Sequence, residues 1–164
     1  MSKLDVYLDQ VVRAVNDPKH LIDAAQYVQG AARLLAPADS GYLRNSISLD
    51  VETTDTGLSA KVYTNLQYAP YVEFGTGPKG AANHDGISPN ITPAYTMEPW
   101  WIHESQIDPA VAQRYHWFYI DTEDGRFYRC DGQAAQPFMY PALHDNIKTV
   151  VEILDDGIKN AIGG

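Results

Sequence analysis

Cysteine is all but missing: Cys130 is the only one in 164 residues, so neither an internal disulfide nor a CxxC metal knuckle can form, which suits a reducing compartment. Positive charge is scarce too. Twelve Lys and Arg stand against 21 Asp and Glu, for a formal net charge of −9, and a surface of that sign repels phosphate, which argues against tight, charge-driven nucleic-acid binding. No apolar run approaches the roughly 20 residues that cross a bilayer, and no charged-then-apolar leader opens the sequence. The expectation is a chain that is neither membrane-embedded nor exported by that route. Internal repeats and low-complexity tracts are also absent. What remains is 45% hydrophobic and 20% charged, a globular composition whose length suits one compact core. We therefore expect a single domain over residues 1–164.

The first 35 residues carry helical spacing twice, in Leu4, Leu8, Val11, Val12 and Val15 and then in Leu21, Ala25, Val28, Ala32 and Leu35. Asn16-Asp17-Pro18 between them predicts a break, with Asp17 as cap and Pro18 in the first turn, and Ala36-Pro37 ends the second stretch. From Ile47 the period drops to two. Ile47, Leu49, Val51 and Thr53 alternate with polar residues, and after Asp55-Thr56-Gly57 so do Leu58, Ala60, Val62 and Thr64. A tight turn would set Asp50 opposite Lys61, Leu49 opposite Val62 and Val51 opposite Ala60. Residues 75–136 are rich in Gly, Pro, Asn and aromatics and read as a long loop-rich excursion. Within it, Trp117-Phe-Tyr-Ile120 and Arg126-Phe-Tyr-Arg129 flank Glu123-Asp124-Gly125 as a second hairpin over about 117–129. Residues 141–162 predict a closing helix with the stripe Leu143, Ile147, Val150, Leu154 and Ile158, ended by Gly163-Gly164. The predicted class is α+β: an antiparallel sheet, with a central hairpin at 47–64 and the later hairpin, packed by N-terminal helical segments and a C-terminal helix.

Groups that could do chemistry are scattered. His20, His84, His103, His116 and His144 show no HxxxH or HExxH spacing that would offer two imidazoles to one ion, so they read as surface or interfacial residues. Cys130 beside Arg129 lacks an identifiable base and reads as structural. Gly75-Thr-Gly-Pro-Lys-Gly80 lacks the order of a phosphate loop and has no helix-forming run after it. Asp155-Asp156 and Glu123-Asp124 read as solvated charges. Trp100-Trp101 behind Pro99 is different, because two adjacent indoles on an extended segment cannot both turn inward. Both are candidate interface residues, against the alternative of a local aromatic cluster under the excursion.

Three further stretches stand out: Ala36-Pro-Ala-Asp-Ser-Gly-Tyr-Leu-Arg-Asn-Ser-Ile47, Tyr68-Ala-Pro-Tyr-Val-Glu-Phe-Gly-Thr-Gly77 and Gln136-Pro-Phe-Met-Tyr-Pro-Ala-Leu143. Their residues suggest scaffold roles. Gly41 suits a positive φ after Asp39, whose carboxylate can bond local amides, and Arg44 points toward an acid or a carbonyl, with Glu73 a candidate partner. Tyr71 and Phe74 supply packing beside Glu73, while Gly75 and Gly77 free the chain to leave the sheet. Pro137 and Pro141 bracket Phe138, which would wedge into the core. Leu43 completes this set of motif residues.

In this order the three stretches resemble the tail-completion, or head-tail joining, family of long-tailed, siphovirus-type bacteriophages and prophages. The resemblance spans about residues 3–160 and is weakest in the excursion. It implies a structural virion component without catalysis, metal or cofactor, forming a homohexameric ring that completes the head-proximal end of the tail. The implied partners are further copies of the chain, tail tube or tail terminator proteins, and head-neck connector proteins. DNA would pass through unbound, and no membrane is involved. The chain would reside in the host cytoplasm during assembly and then in the tail-neck region of the virion. In a closed ring each contact is head-to-tail, which makes the excursion, with all three tryptophans, a candidate face. The alternatives are a prophage-encoded binding module on the same scaffold, or a metal-dependent hydrolase using His84, His103 or His116 with nearby acids.

Overall fold

A computed structural model describes residues 3–39, 41–55 and 57–163. Ser40 and Thr56, expected in turns, and Gly164, expected past the last helix, lie outside the described residues. In chain order the elements begin with α1 (Lys3–Val15), α2 (Pro18–Leu35), α3 (Tyr42–Ser46), β1 (Ser48–Thr54), β2 (Gly57–Tyr63), α4 (Ala69–Phe74) and α5 (Gly77–Ala82). They continue with β3 (Trp100–His103), α6 (Pro109–Arg114), β4 (Tyr119–Thr122), β5 (Gly125–Cys130), α7 (Tyr140–His144) and α8 (Ile147–Gly163). The chain divides into two compact units: Met1–Ala69 together with Pro137–Gly164, and Pro70–Gln136. The class is α+β, as expected, and the two hairpins belong to two separate antiparallel sheets.

The first unit is built around α2. Asp17 accepts the Lys19 N–H at 2.9 Å with Pro18 in the first turn, and the Ala36 N–H closes the far end on the Ala32 carbonyl at 2.9 Å. The break between α1 and α2 thus falls where Asp17-Pro18 put it. α2 packs on both strands of the hairpin and on α3, α7 and α8, and α1 packs on α8. Its inward face is mostly small, with Ala24, Ala25, Val28 and Ala32 buried, and the two large side chains fully enclosed are Ile47 and Phe138. Enclosing Phe138 contributes on the order of 1.5–3 kcal/mol. The hairpin has the expected register, with Leu49 opposite Val62, Asp50 opposite Lys61 and Val51 opposite Ala60. Lys61 nonetheless forms its ion pair with Glu52, one step along the same wet face.

Two local expectations need correction. A short helix, α3, stands between Gly41 and the first strand, so Ile47 is the fully buried residue that leads from helix to strand rather than a strand residue. The closing helix is not continuous from residue 141 either. Asn146 interrupts it: its Nδ2 donates to the Ala142 carbonyl at 3.0 Å, while Tyr27 Oη donates to its Oδ1 at 3.2 Å. A side chain that takes the carbonyl one turn back offers the backbone an alternative to the helix.

The second unit is not structureless. Its three-stranded sheet has the order β3-β5-β4, with β4 and β5 forming the expected hairpin and β3 adding a strand that periodicity did not reveal. Gly75 and Gly77, expected to free the chain to leave the sheet, instead join two short helices, because the residues before them form α4 and Gly77 opens α5.

Candidate assembly surfaces

The motif residues of the first unit hold the end of α2. Gly41 takes φ 76° as the N-cap of α3, Leu43 is buried, and Asp39 lies in an exposed bend. Arg44 on α3 donates Nε to the Ala36 carbonyl at 2.7 Å and Nη2 to the Leu34 carbonyl at 3.5 Å. A cation there meets the carbonyl end of α2, where the helix dipole is negative. Ile47 is fixed similarly, its carbonyl accepting from Gln29 Nε2 at 2.8 Å and Arg33 Nη2 at 2.7 Å. Pro141 occupies the first turn of α7, and half-buried Pro137 precedes Phe138.

In the second unit the motif forms a clasp. Thr76 and Gln133 exchange backbone hydrogen bonds of 2.9 and 3.1 Å, Lys79 N–H reaches the Asp131 carbonyl at 3.0 Å, and Gln136 N–H reaches the Val72 carbonyl at 2.8 Å. The Tyr71 carbonyl accepts from Gln133 Nε2 at 2.7 Å and the Phe74 carbonyl from Tyr95 Oη at 2.7 Å. Burial pushes the Tyr95 phenol up. Strands of backbone this close leave no room for side chains. A Cβ on Gly132, at φ 80°, would sit 1.9 Å from the Thr76 carbonyl oxygen, and one on Gly77, at φ 60°, would sit 2.9 Å from that of Asp131. Gly75 is buried in the same clasp, and Glu73 is the one buried charged side chain among the described residues.

Trp100 and Trp101 stand on β3, which pairs with β5, and alternation sends them to opposite faces. Trp100 turns to the clasp, where its Cζ3 would lie 2.9 Å from a Cβ on Gly77. On that face β4 and β5 also carry Tyr128, which is buried, and Arg126, whose guanidinium lies 3.8 Å over the Tyr119 ring. Arg126 meets Asp121 in a fork of 2.8 and 3.2 Å, and that hydrogen bonding holds the Asp121 carboxyl below the ordinary carboxylate value. Trp101 faces the other way. It is 45% exposed and its ring lies 6.2 Å from that of Phe118, itself 63% exposed, with Ile120 on the neighbouring row. This outer face is a cluster of aromatic and aliphatic surface bordered by Arg129, the kind of composition that interface cores favour.

His84 and His103, two of the histidines a metal-dependent hydrolase would use, are engaged locally, whereas His20 Nε2 is buried without a hydrogen-bond partner among the described residues. His84 Nδ1 lies 3.0 Å from the Gly80 carbonyl, and its ring packs against Tyr95. His103 Nε2 donates to the Asp124 carbonyl at 3.0 Å, which leaves Nδ1 to accept from the Ser105 hydroxyl at 2.7 Å. Among the described residues, no three His, Cys, Asp or Glu side chains are grouped so as to hold a metal ion. Cys130 lies on β5 opposite Trp100 and is half-buried. No helix of the described residues is long and apolar enough to cross a membrane.

Both units carry exposed apolar side chains, among them Leu4, Leu8 and Val12 in the first and Trp101 and Phe118 in the second. Residues 1–75 match the HK97-gp10-like family model, described as "Bacteriophage HK97-gp10, putative tail-component". The chain is thus similar to a bacteriophage tail component from α1 through the glycine that follows α4, in agreement with the phage family that its motifs resemble. No curated protein and no solved structure matches it.

Proposed function

We propose that this chain is a structural virion protein that completes the head-proximal end of a phage tail and joins it, as an oligomeric ring, to the head-neck connector. The observation that carries this reading is the match of residues 1–75 to a phage tail component, a span that contains the first motif stretch and all of the second but Thr76 and Gly77. The third stretch, Gln136 to Leu143, follows in the order the family uses. Six copies would match the symmetry of the tail, and the partners would be tail tube or terminator proteins on one side and connector proteins on the other. The net charge of −9 suits the wall of a duct through which DNA must slide without sticking. Trp101 and Phe118, which share one exposed face, are the residues we assign first to a protein contact; Trp100, 37% exposed on the opposite face, stays a candidate beside its packing on Gly77.

The test is genetic and physical. In a phage lacking this protein, electron microscopy of the lysate should show filled heads and separate tails, and supplying the wild-type chain should restore joined particles. Joined, infectious particles in its absence would overturn the assignment. Trp101→Ala should fold normally and fail to restore joining, and full restoration would remove Trp101 from the interface. Light scattering over a concentration series reports whether the purified chain forms the ring unaided.

A further inference from the structure

The hairpin of the first unit has two open sides. β1 and β2 are seven residues each and pair only with one another in a two-stranded sheet. Among the described residues, no backbone-to-backbone hydrogen bond joins either strand to anything but its hairpin partner. α2 packs on both strands, so one face is covered, but each outer edge keeps a row of N–H and C=O groups unpaired. Edges of this length are commonly blunted by a bulge or a proline, and neither is present. The register runs unbroken from Ser48 opposite Tyr63 to Thr54 opposite Gly57, and no proline lies in either strand.

The charges decide which strand can be added. The two strands carry three charged residues, all exposed on the wet face: Asp50 and Glu52 on β1, and Lys61 on β2. Beside its own copy, β1 would set acids against acids and β2 would set Lys61 against Lys61, and like charges across strands oppose pairing. β2 of one copy beside β1 of another sets Lys61 against Asp50 and Glu52 instead. Within one copy Lys61 already pairs with Glu52 and stands opposite Asp50, and an ammonium has three donors, enough to meet an acid on each side. We infer that β2 of one copy pairs with β1 of the next, in the register that the hairpin itself uses, so that Lys61 meets Asp50 of the neighbouring copy. Rotation about a ring axis keeps strand directions, which makes this junction antiparallel like the hairpin. The two edges lie on opposite sides of one subunit, so the contact is head-to-tail, and a ring of such contacts is a closed sheet to which every copy adds two strands and in which no edge stays open. The inference rests on the ring reading above and names the strands that would close the ring.

The test uses the full chain with Cys130→Ser as background and two single variants that leave the three charges in place, Ser48→Cys on β1 and Tyr63→Cys on β2. These positions are opposite in the hairpin register, and circular dichroism checks that the fold is kept. On mild oxidation the mixture of the two variants should yield a disulfide-linked dimer that neither yields alone, since the bond needs Cα atoms within roughly 7 Å. A dimer from either variant by itself means that like edges pair, and overturns the inference. Asp50→Lys, which spares the Lys61–Glu52 pair, should raise the concentration needed for assembly about tenfold or more; assembly at the wild-type concentration would also overturn it. Light scattering on the same samples separates the ways of failing. Rings without the mixed cross-link overturn this contact and leave the ring reading standing. Monomers at every concentration overturn the contact, and the phage lysate then decides the ring reading by itself.

Discussion

The two units reach order by different means. The first is held by side-chain periodicity: an alanine-faced α2 brings two strands, α7 and α8 close around Ile47 and Phe138. The second has short helices and strands, and what ties them is backbone meeting backbone, with Thr76 and Gln133 exchanging hydrogen bonds across a gap that only glycine allows. The contrast teaches where each unit is vulnerable. A unit built on periodicity tolerates many apolar exchanges but not the loss of its few large side chains, whereas a clasp tolerates changes of surface but not one added methyl.

The largest expected effect is Phe138→Ala. Removing this side chain, 1% exposed, should cost about 3–5 kcal/mol in chemical denaturation; a loss below about 1 kcal/mol would mean that Phe138 does not anchor the first unit. Gly132→Ala should follow, at about 2–3 kcal/mol, because the methyl collides with a backbone oxygen at a positive φ. Hydrogen exchange sharpens the comparison here. Protection should fall at Thr76, Lys79 and Gln133 while the β1–β2 hairpin keeps its own, and an even loss over both units would make them one cooperative block.

Asp17→Ala tests the first unit more gently. Loss of the α2 cap should cost about 1 kcal/mol in thermal or denaturant unfolding, and no change would show that Pro18 alone sets the helix start. The smallest effect concerns Asp121 and Arg126 on the sheet of the second unit. The folded carboxyl titrates below its ordinary value, so the pair stabilises above about pH 4 and that contribution is lost as pH falls through the folded value. Wild type should exceed Asp121→Asn slightly in melting temperature at pH 6, with the gap closing toward pH 2; a gap that widens on acidification would reverse the sign argued here.

How far the sequence could be read follows the same division. The α1–α2 break was legible because Asp17 and Pro18 state it locally, and the β1–β2 register because a period of two admits one pairing that keeps Leu49 and Val51 on the same face as Val62 and Ala60. The interruption at Asn146 was hidden, since Leu143 and Ile147 keep a four-residue spacing straight through it. Likewise α4 and β3 are too short for any period to show, and β3 exists through its pairing with β5. Of the tryptophans, alternation said that they would part, and both remain exposed, Trp100 at 37% and Trp101 at 45%. What no pattern announced is that Trp100 lies against Gly77. The apolar stripe of α1 was visible as an amphipathic pattern, but such a pattern does not specify whether the cover comes from the same chain.

The clasp also governs what can be inserted into this protein. Gln136 bonds to Val72 and Ala135 to Asn83, so the chain between them leaves and returns through one narrow neck. The entropy of closing such a loop grows only with the logarithm of its length, about 0.6 kcal/mol for each doubling. Beyond the neck, then, loop length away from the clasp residues and the β3-β5-β4 sheet can change at little entropic cost, which makes those loops the places where new partner surfaces can be grafted.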